Sequence, residues 1–142
     1  TIEFNCRFGD PETQPIMSRL NSDFVDLIEA GIAGKLDSVH AEWSPQIAVG
    51  VVLAAANYPE TPRKLDVING LDAANHICKV FHAGTSSNEK GEIVTTGGRV
   101  LCVVGLGDDV AAAKTKAYQA LEKISFAGMQ YRTDIADKEI NR

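Results

Sequence analysis

The sequence predicts an α+β fold: a β-rich module with one long helix over residues 45–142, preceded by one strand and its helices over residues 1–44. Three observations carry this. Apolar strand-like runs bounded by Gly, Pro and Asn recur from Ile47 to Gly107. A single helical period follows them, with Val110, Ala113, Ala117, Leu121 and Ile124 on one face. Between the two regions lies "DSVHAEWSPQ" (Asp37 to Gln46), which has no apolar period and contains a proline, so the domain boundary is set there.

The chain opens on an alternation. Ile2, Phe4, Cys6 and Phe8 are apolar or thiol-bearing, with Glu3, Asn5 and Arg7 between them. A period of two predicts a strand with one buried and one polar face, stopped by Gly9-Asp10-Pro11. "TQPIMSRL" and "SDFVDLIEAGIAGKL" read as helices. Ser22 is the expected cap of the second, and Phe24, Leu27, Ile28, Ile32 and Leu36 form its apolar stripe. Gly31 and Gly34 weaken its last turns. "IAVGVVLAAANYP" predicts a strand buried on both faces. "KLDVINGL" predicts a short strand running into a tight turn at Asn69-Gly70, and "ICKVFHAGT" a further strand before the polar tip "SSNEKGE". "IVTTGGRVLCVVGLG" predicts two strands divided at Gly97-Gly98. Asp108 or Asp109 caps a helix reaching Lys123, and the polar tail "MQYRTDIADKEINR" wraps the surface. The first region has no partner strands of its own and cannot form a core alone.

Totals exclude several classes. The net charge of −5 argues against a broad nucleic-acid surface, which needs clustered Lys and Arg. The longest apolar run, Ile47 to Ala56, is too short to span a bilayer, so no membrane partner is expected. Three widely spaced cysteines, Cys6, Cys78 and Cys102, fit neither a disulfide framework nor a zinc site. They are expected to be buried free thiols in a reducing cytoplasm.

Two constellations carry candidate chemistry. Residues two apart on a strand project to one side, with Cα atoms about 6.5–7 Å apart. Glu3 and Asn5 would thus offer a carboxylate and an amide oxygen, hard donors of the kind magnesium takes. Arg7, one step on, could stabilise charge on a transferring phosphoryl group. The same pattern also describes a solvent-facing strand with a Glu–Arg pair. At Gly97-Gly98-Arg99, glycines let the backbone approach a ligand and the guanidinium suits a phosphate; a bulge or hairpin with a surface arginine is the alternative. In "GLGDD" two aspartates at the helix start would repel phosphate, so capping is the reading there. His82, alone at an apolar strand end, reads as a hydrogen-bonded structural residue.

"EFNCRFGDPETQ" resembles the last motif of the ATP-grasp region in the phosphoribosylamine–glycine ligase (glycinamide ribonucleotide synthetase) family. "VVLAAANYP", "VFHAGT", "TTGGRVLCVVGLGDDVAAAKTKAY" and "FAGMQYRTDI" resemble that family's C-terminal domain, in the same order, so the likeness runs through essentially all 142 residues. The resemblance implies the end of an ATP-grasp domain (residues 1–44, with a linker) followed by a small, barrel-like β-rich C-terminal domain (45–142). It implies Glu3 and Asn5 as ligands of Mg²⁺ or Mn²⁺ and Arg7 beside the reacting phosphoryl group. It places Asp10 and Glu12 on the substrate side, and Gly98 and Arg99 at the ribose 5′-phosphate. The implied substrates are ATP, glycine and 5-phosphoribosylamine, joined through a glycyl phosphate to give glycinamide ribonucleotide in purine biosynthesis. The family's N-terminal domain, glycine-rich nucleotide loop and phosphate-gripping lysines have no counterpart in the chain. The expectation is therefore a C-terminal piece of a longer enzyme, inactive alone, whose partner is the rest of that enzyme. A non-enzymatic β-rich module binding a metabolite or a protein is the alternative, and it leaves the Glu3/Asn5/Arg7 face without a purpose.

Overall fold

The computed structural model describes residue 4 and residues 6–141. Helix α1 (Thr13–Met17), helix α2 (Phe24–Ile32) and a 3₁₀ turn (Leu36–Ser38) precede strand β1 (Ile47–Ala54). Then come α3 (Leu71–Asn75), β2 (Lys79–His82), β3 (Thr85–Ser87), β4 (Ile93–Thr95), β5 (Arg99–Gly107), α4 (Val110–Leu121) and α5 (Asp137–Ile140).

The organising strand is β5, which pairs antiparallel with β1 on one edge and β2 on the other. Directly opposed residues share a face. Val49, Val51, Leu53, Val80, Leu101, Val103 and Gly105 therefore face α4, and all but Gly105 belong to the main core cluster with Ala113, Ala117, Ala120 and Leu121. The other face carries Gly50, Val52, Cys102 and Val104 and is covered in part by α1, whose Pro15 ring lies 3.4 Å from where a Cβ on Gly50 would sit. The predicted burial of β1 on both faces is met on one only: Val49, Val51 and Leu53 are buried, while Ala48, Gly50 and Val52 on the other face are half-buried, because α1 covers that face only in part. β3 and β4 form a separate two-stranded ribbon. Among the described residues the pairings make two sheets and no closed ring of strands, so the architecture is α+β with antiparallel sheets.

Several expectations change. Among the described residues no strand precedes Ile47, and Phe4 and Phe8 are 86% and 61% exposed. The predicted opening strand, Ile2 to Phe8, lies in part outside the described residues; an alternation specifies a strand only where another strand receives its backbone groups, and among the described residues none pairs with this segment. Phe8 instead meets the edge of Phe24, with ring centroids 5.6 Å apart. The cap of α2 is Asp23, accepting from Val25 N at 2.8 Å. Ser22 holds the neighbouring loop instead, its hydroxyl accepting from Glu42 N at 2.7 Å. Helix α2 stops at Ile32 rather than Leu36, because Gly34 adopts φ +67° and the chain turns there. Asn69-Gly70 forms no hairpin: Gly70 (φ +81°) starts α3 against the backbone of Lys123, where a Cβ would collide. The segment before it makes only isolated bridges, Val67 to Val94 and Asn69 to Ser125. Asp109 caps α4, accepting from Ala112 N at 2.7 Å, and the helix ends at Leu121. Cys78 and Cys102 are buried as expected, whereas Cys6 is exposed. Among the described residues no helix is long and apolar enough to cross a membrane.

Candidate functional site

The break at Gly97-Gly98 ends with Arg99 as the first residue of β5, and its side chain leaves the sheet at that corner. Gly98 lies against Tyr58, whose Cε2 is 2.7 Å from the site of an absent Cβ, so a side chain there would displace the ring. That ring presents its hydroxyl to Arg99, whose Nε donates to it at 3.0 Å. Arg99 Nη1 donates to the Asp10 backbone oxygen at 2.7 Å and lies 3.1 Å from Asp10 Oδ2. The hydrogen bond to Tyr58 raises the guanidinium pKa, burial opposes this, and the Asp10 charge adds to it, so Arg99 remains a cation. Its Nη2 edge has no protein partner among the described residues.

Arg99 borders a cleft of about 570 Å³ along the outer edge of β1. Val51, Val52 and Ile135 supply apolar wall, Tyr58 and Tyr131 aromatic rings, and Arg132 a second guanidinium. The tail forms the far wall because Gln130 pairs with Ala54 beside β1, the Tyr118 hydroxyl donates to the Arg132 backbone oxygen at 2.6 Å, and Lys114 pairs with Asp137. Asp134 grips Arg132 through two bonds, from Nε at 2.8 Å and Nη2 at 2.6 Å. The bond from Arg132 holds the Asp134 carboxyl down at about 2. The lining contains no Ser, Cys, His, Asp or Glu among the described residues. Such a cleft can bind and orient an anion; it brings no nucleophile or carboxylate base of its own. A second cavity, about 480 Å³, lies between α1 and β2, with Lys79 and Lys116 at its rim.

The structure thus brings together two of the residues singled out from sequence, Asp10 and Arg99, and places Gly98 as the packing floor beneath Tyr58. Arg7 is exposed, donating to the Phe8 backbone oxygen at 2.8 Å, and does not line the cleft. Glu12 is exposed at the start of α1 and does not line it either. Glu3 and Asn5 lie outside the described residues. Among the described residues no group of three or more His, Cys, Asp or Glu could hold a metal ion. His82 has the structural partner expected, Thr85 Oγ1 at 2.9 Å from Nδ1. Sequence reasoning missed Tyr58 and Arg132. The one signal for Arg132 is its place in "YRTD", two residues before the aspartate that holds it.

Fold and cleft together define an α+β domain that presents a guanidinium-lined cleft at one corner of an antiparallel sheet. Residues 48–138 match the family model described as phosphoribosylglycinamide synthetase, C domain, and the chain belongs to that family. It is 81% identical over 142 residues to a phosphoribosylamine–glycine ligase of Neisseria meningitidis serogroup B, covering 100% of this chain and 34% of the relative. Against the phosphoribosylamine–glycine ligase of Ralstonia nicotianae it is 54% identical over 142 residues, covering 100% of this chain and 33% of the relative. The crystal structure of phosphoribosylamine–glycine ligase from Thermotoga maritima is similar with a TM-score of 0.80 at 39% identity, covering 95% of this chain and 33% of that one. The chain spans about a third of the length of the curated relatives it matches.

Proposed function

We propose that the chain is the C-terminal part of an ATP-dependent ligase that joins glycine to 5-phosphoribosylamine, giving glycinamide ribonucleotide, ADP and phosphate in purine biosynthesis. The observation that carries this is the 81% identity over all 142 residues to a ligase of that name. Residues 1–44 would then complete an ATP-grasp domain and residues 45–142 would form the C-terminal domain, in a cytoplasmic enzyme.

In this reading ATP phosphorylates the glycine carboxylate, and the amine of phosphoribosylamine displaces phosphate from the resulting glycyl phosphate. Arg99 anchors the 5′-phosphate of the amine substrate through its free Nη2 edge, while the apolar and aromatic walls of the cleft exclude water around the sugar. Arg132 adds positive potential at the far wall. Glu3 and Asn5 would hold Mg²⁺ or Mn²⁺; both are hard oxygen donors, which fits such an ion. The ion would supply charge neutralisation between the nucleotide phosphates. Arg7, exposed and donating to the Phe8 backbone oxygen, would serve near the reacting phosphoryl group, and Glu12 on the substrate side.

The test compares ATP-dependent incorporation of labelled glycine by this chain alone and by the chain co-expressed with its upstream segment, generating phosphoribosylamine in situ. Incorporation in the second sample only is expected. No incorporation with both segments present and folded would refute the ligase.

A further inference from the structure

Asp10 and Arg99 stand 89 positions apart, yet a single guanidinium nitrogen takes both the Asp10 backbone oxygen and its carboxylate. The next residue, Pro11, lines the cleft. Just before it, Gly9 is fixed by the first turn of α1, its backbone oxygen accepting from Thr13 N at 3.1 Å and from the Thr13 hydroxyl. The loop from Phe8 to Glu12 is thus fastened to α1 through Gly9 and to β5 through Asp10. Of the five N–H donors of Arg99, Nε bonds Tyr58 and one on Nη1 bonds the Asp10 backbone oxygen, with the Asp10 carboxylate paired to the same Nη1, which fixes the plane of the guanidinium and leaves the Nη2 pair for a ligand.

We propose that Asp10 is a positioning residue rather than a contact for a substrate amine: it orients Arg99 and clamps the Phe8–Glu12 loop to the cleft. The loop then sets the separation between the phosphate anchor and Arg7. This rests on the reading of Arg99 as the phosphate anchor. A carboxylate already paired with a guanidinium is a poor partner for an amine, and the clamp explains why the loop is shaped as a wall of the cleft. Two effects of removing Asp10 oppose each other. Loss of its charge would favour an incoming anion, and loss of orientation would disfavour it. At 41% and 55% side-chain exposure the charge term is screened, so the loss of orientation decides.

The experiment uses the longer enzyme, with steady-state kinetics on Asp10→Ala, Arg99→Ala and the double variant. Asp10→Ala is expected to raise the KM for phosphoribosylamine about five-fold, leave the KM of glycine and ATP within about two-fold, and add nothing in the Arg99→Ala background. An equal effect in both backgrounds would overturn the proposal, since Asp10 would then touch substrate directly. A lowered KM would overturn it too, leaving Asp10 a mere counter-ion. Hydrogen exchange on the same proteins reads the clamp separately: the Thr13 amide, which donates to the Gly9 backbone oxygen, should lose protection in both single variants, and unchanged protection would mean there is no clamp. An Arg99→Ala enzyme with an unaltered KM would remove the phosphate-anchor reading, and the positioning role with it, while the exchange data would still judge the clamp.

Discussion

At Gly98 a missing methyl group decides the geometry of the cleft. The Tyr58 ring occupies the space a Cβ would need, and Arg99 is aimed by that ring's hydroxyl. Gly98→Ala should therefore destabilise the chain by about 1–3 kcal/mol through overpacking, measured by urea unfolding, and weaken binding of ribose 5-phosphate in the same variant. The thiols give a second outcome at this scale. Cys102 is pushed up to about 11 by burial first and the Asp10 carboxylate second, and burial also raises Cys78. At pH 8 a thiol reagent should modify Cys6 within the mixing time of a slow assay and leave the other two untouched until the chain unfolds, as mass spectrometry would show. The Arg132–Asp134 pair supplies a third. A depressed carboxylate pKa contributes stability that is complete above the ordinary carboxylate range and is lost as pH falls through the folded value. The Asp134 carboxyl carbon should accordingly titrate with a midpoint at about 2 and stay flat from pH 5 to 8. Asp10 and Arg99 were each legible in the sequence as residues of interest. Their contact was not, because no period or spacing relates positions 89 apart.

Elements were legible where the chain itself supplies what completes them. The length and apolar run of β1, the long β5 and the alanine-lined face of α4 all read correctly, since each answers to a partner in the same module. The opening alternation lies in part outside the described residues, and half of a ladder carries no instruction without the other half. Helix α2 shows the intermediate case: its period and cap region were readable, but Val25, Ile28 and Ile32 remain exposed along one stripe, and no core residue covers them among the described residues. Packing between β5 and α4 depends on two glycines. A Cβ on Gly105 would strike the backbone of α4, 2.7 Å from Ala117 N, and Gly107 meets Ala112 and Ala113 in the same way. Backbone cannot swing aside as a tyrosine ring can. Gly105→Ala should thus cost about 3 kcal/mol or more, exceeding Gly98→Ala, and a smaller loss in thermal unfolding would mean that α4 slides on the sheet.

For the whole molecule, the main core draws on residues 49–126, while the segment that holds the single tryptophan, Trp43, contributes no buried residue to it. Trp43 is joined to Leu20 by a lone bridge and is half exposed. Fluorescence should therefore report unfolding at lower urea than far-ultraviolet circular dichroism does, and coincident transitions would show that the two regions melt as one. The central place of β5 has a consequence during synthesis. Its neighbour β1 leaves the ribosome first and waits, unpaired, until residues 99–107 follow, since every rung of that ladder lies on β5. In the interval "IAVGVVLA" is a bare, uncharged, β-prone octapeptide of the sort that seeds aggregates, so translation speed over the following half of the message bears on yield as directly as any contact in the finished fold.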